Sequence, residues 1–188
     1  MTPFDFITVA ISLILGLGIT YLLSSAIQMF RSRDVIALDW IALAWAAIIL
    51  LFQLQFWWAL YELSKIIQTW TVQAFAVLIA QALSLFVAGA LILPSGNQES
   101  GQRVSEAFKR DGRWALVILS GYLGISLMAN ILLYGTPIFS IVQALVVSLM
   151  IAPLLFLLLG NLRAQKLATA IYMAWSLWVA SVIAPTSY

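Results

Sequence analysis

The sequence predicts an all-α, polytopic integral membrane bundle of six transmembrane helices with both ends outside. Three observations carry that prediction. Hydrophobic residues make up 64% of the chain and charged residues only 9%, whereas a water-facing domain carries about 25% charged side chains. Six apolar stretches come close to the roughly 20 residues that one bilayer crossing needs. Eight of the nine Lys and Arg residues fall in alternate connections. A chain so poor in charge cannot clothe a globule in polar side chains, so lipid is its main solvent.

The spans are expected at about 4–30, 38–61, 71–93, 114–134, 138–160 and 167–184, in one transmembrane domain covering 1–188. The first, apolar from Phe6 to about Phe30, has no basic flank before it and exceeds a signal-peptide core, so it reads as a retained span. Thr2-Pro3-Phe4-Asp5 starts it, with Thr2 as N-cap and Pro3 as the first helical residue. Asp39 caps the second helix, and Pro94-Ser95-Gly96-Asn97 stops the third. Gly135 ends the fourth helix, and Thr136-Pro137 starts the fifth after a connection short enough to make the two an antiparallel hairpin. Pro153 removes a backbone hydrogen bond from the fifth helix and marks a candidate hinge.

The basic residues orient the bundle. Arg31 and Arg33 lie in the first connection, Arg103, Lys109, Arg110 and Arg113 in the third, and Arg163 and Lys166 in the fifth, against Lys65 alone on the other side. Lysine and arginine in short loops stay in the cytoplasm, which gives N-out, C-out. Trp57, Trp58, Tyr61 and Trp70 then fall at the outer interface and Trp40 and Trp114 at the inner one, the levels that amphipathic rings prefer. The cytoplasmic loop 94–113 is the one long connection. Within it, Ser100–Asp111 reads either as a solvated linker or as a short helix whose Val104 and Phe108 dock on anionic headgroups. The loop leaves three helices on each side, so any internal duplication would be inverted. Leu17-Gly18-Ile19-Thr20 resembles Leu123-Gly124-Ile125-Ser126, and Pro94 is matched by Pro185, but matches this short arise by chance in apolar sequence.

Composition also prunes chemistry. The chain has neither cysteine nor histidine, which removes disulfides, thiol catalysis and the commonest metal ligand and general base. Asp5, Asp34, Asp39 and Asp111 all fall near or outside the interfaces, which disfavours a paired-aspartate protease. No charged residue lies near the centre of a span, where proton relays and voltage sensors hold theirs. No phosphate-binding loop is present, and a net charge of +2 gives no nucleic-acid footprint. No enzyme and no cofactor are expected.

Two patterns remain. Thr8, Ser12, Gly16, Thr20, Ser24 and Gln28 recur at every fourth position of the first helix. Small and hydroxylated residues let helices approach closely, so the ridge reads as a packing face, within one chain or between copies; a hydrated lining is the alternative. Gln53, Gln55, Gln81, Asn130 and Gln143 lie inside spans, with Glu62 beyond Gln55. They form either interhelical hydrogen bonds or a polar vestibule opening outward. The segment Gln53–Glu62, with Trp57, Trp58 and a carboxylate, is the first place to look for a cationic or amphipathic ligand. The expected function is a non-enzymatic membrane component: an accessory subunit, a scaffold or a self-assembling bundle. The alternative is a small-solute or ion conduit. Expected partners are the lipid bilayer and either a second copy or another membrane protein. With compact loops and no organellar targeting segment, a bacterial cytoplasmic membrane is the expected compartment.

Overall fold

A computed structural model describes residues 3–31, 39–67, 70–93 and 108–183. Thr2, Arg33, the Pro94–Asn97 stop, Arg103, Val104 and Pro185 lie outside them. The described residues form six α-helices and one π turn, with no strand among them. These are α1 (Pro3–Arg31), α2 (Trp40–Ile66), α3 (Val72–Ile92), the π turn Phe108–Gly112, α4 (Arg113–Leu132), α5 (Ile141–Phe156) and α6 (Leu162–Ile183). All but α5 are long and apolar enough to cross a membrane, and α5 is a shorter apolar helix of 16 residues. Helices of that length and composition are those of an integral membrane protein.

Local chemistry explains the ends. Asp39 accepts from the Ile41 N–H at 3.0 Å, and the Thr71 hydroxyl accepts from the Ala74 N–H at 3.1 Å, each a side chain satisfying a first-turn donor. Helix α2 outruns its apolar stretch by about a turn, and in that turn Glu62 and Lys65 pair at 3.0 Å. Helix α6 likewise starts early, where the Asn161 carboxamide oxygen accepts from the Arg163 N–H at 2.9 Å. Gly135 does turn the chain, with φ +64° in the left-handed region that glycine tolerates. The start of α5 differs from expectation: Thr136-Pro137 is not its cap. The hydroxyl of Ser140 takes that role, accepting from the Gln143 N–H at 3.2 Å, and 135–140 is non-helical.

Pro153 explains how α5 ends. Its missing N–H frees the carbonyl of Leu149, and the Tyr172 hydroxyl of α6 donates to that carbonyl at 3.1 Å. Beyond Phe156 the chain tightens, with Leu157, Leu158 and Leu159 N–H groups each bonding three residues back. The Gln165 carboxamide then donates to the Leu159 carbonyl at 2.7 Å. The proline that the sequence marks as a hinge is buried, and its freed acceptor is bonded to the neighbouring helix.

The helices run alternately up and down. Phe4 meets Trp70 at 5.4 Å and Phe6 meets Phe75 at 6.5 Å, so α1 and α3 begin at one end. At the other end Trp45 of α2 meets Phe156 of α5 at 5.2 Å, and Phe156 meets Phe108 of the π turn at 6.3 Å. Phe108 therefore faces the bundle core rather than a headgroup surface. The described arginines Arg31, Arg110, Arg113 and Arg163 lie at this second end, and Lys65 at the first. Helix α3 packs on α1, α2 and α4; α4 continues to α5; and α6 closes on α5 and α2. The two halves pack differently, since α1 lies along α3 whereas α4 and α6 make no comparable contact. That pattern gives no support to an inverted repeat.

Candidate functional site

Helix α2 organises the interior. Trp45, Phe52 and Phe56 share its buried face and meet Tyr172, Phe156 and Tyr122 across the bundle, with centroid separations from 4.8 to 6.4 Å. Toward the Lys65 end of this column, the Tyr134 hydroxyl donates to the Ala59 carbonyl at 2.7 Å. Burial, with the Glu62 carboxylate nearby, pushes the Tyr134 hydroxyl up to about 12.

The carboxamides within the helices lie along three helix seams. Gln81 of α3 donates to the Ser126 hydroxyl of α4 at 2.9 Å, and Ser126 donates to the Tyr122 carbonyl at 3.0 Å. Asn130 of α4 donates to the Gln143 Oε1 of α5 at 3.4 Å, while Gln143 Nε2 donates to the Leu127 carbonyl at 3.3 Å. Gln53 is elsewhere, at the middle of α2 in the seam with α1 and α3. Its Nε2 lies so near Gly18 of α1 that a Cβ there would sit 2.8 Å away, and a Cβ on Gly89 of α3 would sit 3.6 Å away. Gly89 is eight positions beyond Gln81 on α3, about 12 Å along a helix axis. Gln55, two residues on from Gln53, points about 200° round the helix and is half-buried.

Gln53 is the anomaly. The side chain is 0% exposed, and neither its Oε1 nor its Nε2 has a hydrogen-bond partner among the described residues. A buried amide in that state costs about 1–3 kcal/mol by mutational scales and more by transfer into hydrocarbon. The Gln81 Oε1, the Trp45 Nε1–H and the Ser120 hydroxyl are also buried without partners. At the end of α2 the expected ligand-binding carboxylate already has its cation. Glu62 is held by Lys65, whose Nζ sits 4.2 Å from the Tyr61 ring centre.

The α1 ridge also divides. Thr8, Ser12 and Gly16 are half-buried, whereas Thr20, Ser24 and Gln28 are exposed. A four-residue step overshoots a 3.6-residue turn by about 40°, so the ridge winds round the helix. The intramolecular seam follows Ile7, Ile11, Leu15, Gly18, Leu22, Ser25 and Met29, in a mixture of four-residue and three-residue steps. Nothing lies within 4 Å of a Cβ on Gly16, so the close approach within the chain is at Gly18.

Several of these residues escaped the sequence reading. Gly18 and Gly89 carried no sign of their shared neighbour, because that contact joins residues distant in the chain. Tyr172 did have a signal: Pro153 implies an orphaned Leu149 carbonyl, and a buried hydroxyl on an adjacent span is a ready donor. Comparison with protein-family models, with curated proteins and with solved structures finds no match to this chain.

Proposed function

We propose that the chain is a non-enzymatic integral membrane component that crosses a bacterial cytoplasmic membrane six times, with both termini outside and its arginine-rich end in the cytoplasm. The observation that carries this reading is the distribution of the carboxamides. Gln81 is bonded across the α3–α4 seam, and Gln143 with Asn130 across the α4–α5 seam, so their polarity is spent on joining helices. The described Asp, Glu, Lys and Arg residues sit at helix ends, which leaves the mid-membrane region to packing. The sixth crossing is α5. Its 16 residues extend about 24 Å, and the tight turn to Leu159 adds about 6 Å, enough for a hydrocarbon core of about 30 Å.

A second reading, a small-solute conduit, draws on one observation: the partnerless Gln53 amide at the centre of the bundle. The cysteine-free chain separates the two. Single cysteines at Gln53, Gln81, Asn130 and Gln143 are challenged with an impermeant thiol reagent from the outer side. A packed component leaves all four unlabelled, and purified protein in liposomes passes no test solute. Labelling at Gln53 together with Gln81 would overturn that reading in favour of a hydrated path.

A further inference from the structure

The connection between α4 and α5, Leu133-Tyr134-Gly135-Thr136-Pro137-Ile138-Phe139-Ser140, contains no charged residue. Its tip is apolar and open: Phe139 is 99% exposed, the highest value among the described large hydrophobics, and Ile138 and Ile141 beside it are exposed as well. In water such a tip is unfavourable, because a phenyl ring gains by leaving water in proportion to its area. The depth of the hairpin supplies a different surrounding. Helix α4 has 20 residues, about 30 Å, so its last residue lies at the edge of the hydrocarbon core. The Tyr134–Ala59 hydrogen bond ties the connection to α2 at the level of Trp58 and Tyr61, both exposed. The backbone agrees with that level. Thr136 N–H bonds to the Asn130 carbonyl at 2.9 Å, but the Ile138 and Phe139 N–H groups have no partner among the described residues. Free N–H groups belong among headgroups and water, not in hydrocarbon.

We propose that the α4–α5 tip is an interfacial anchor, with Ile138 and Phe139 inserted among lipid acyl chains while the backbone of 136–140 stays at headgroup level. Lacking charge, it would engage zwitterionic as well as anionic lipid. This inference rests on the membrane-spanning reading above.

Nitroxide labels at Phe139→Cys, at Lys65→Cys and at Leu17→Cys, in phosphatidylcholine vesicles, test it by collision with oxygen and with a water-soluble nickel chelate. Leu17 is an exposed mid-helix position of α1. The expected oxygen-to-nickel ratio at 139 lies severalfold above that at 65 and below that at 17. A ratio equal to that at 65 would place the tip in water and overturn the anchor. A label at 139 shielded from both agents would also overturn it, pointing instead to a protein, such as a second copy, over the tip. Should position 17 also read as aqueous, the spanning reading itself fails and takes the anchor with it.

Discussion

Replacing Gln53 by leucine nearly preserves side-chain volume and removes two polar atoms that are buried without partners. Q53L is therefore expected to stabilise the bundle by about 1–3 kcal/mol, the cost of an unpaired buried polar group. Unfolding in mixed micelles under increasing dodecyl sulfate measures this, and a loss of stability would show that the amide is bonded in the membrane. The neighbouring glycines should differ in magnitude. G16A meets nothing and gains about 1 kcal/mol of helix propensity, whereas the Cβ of G18A arrives 2.8 Å from the Gln53 Nε2 and must displace the end of that side chain, which offsets part of the same gain. Tyr134 gives a pH prediction. Its hydroxyl is raised from 10.0 to about 12 in the folded chain, so the folded state binds the proton longer than the unfolded one. The resulting stability is complete below pH 10, falls as the pH climbs through about 12, and is absent from Y134F. Equal alkaline stability of the two proteins would contradict the buried Tyr134–Ala59 bond.

The α5–α6 pair tests how a broken helical rung is repaired. Y172F leaves the Leu149 carbonyl without its donor and should cost about 1–3 kcal/mol. In a P153A background the new backbone N–H can take that carbonyl, so the same Y172F change should cost less than half as much. A double-mutant cycle with no coupling would contradict the arrangement. The helices themselves were plain in the residues. Asp39 announces α2 because a carboxylate before an apolar run is a cap in any context, and Gly135 announces the end of α4 because a turn there needs positive φ. Ser140 was overshadowed by Thr136-Pro137, since both are sound cap chemistry and an apolar run has no phase to choose between them. The α1 ridge divides between half-buried and exposed residues for a geometric reason. An exact four-residue repeat looks regular in sequence, yet only a mixed three-and-four spacing stays on one face of a helix. Which carboxamides pair was illegible, because Gln81–Ser126 and Asn130–Gln143 depend on how α3, α4 and α5 are rotated against each other.

Across the bundle a charge pattern accompanies a packing pattern. Alternating helices bring Arg31, Arg110, Arg113 and Arg163 to one end and leave Lys65 at the other, and in the topology proposed above the basic end is the cytoplasmic one. The interior between those ends is an aromatic column on α2 and two seams of paired amides, a construction suited to holding shape. The most direct measurement is the sidedness of single cysteines at Lys65, Arg110 and Arg163 in intact cells, read with an impermeant thiol reagent before and after permeabilisation. Only the position-65 cysteine should label in intact cells, with 110 and 163 reacting once the membrane is opened. Labelling of positions 65 and 110 from the same side would contradict an alternating, membrane-spanning bundle.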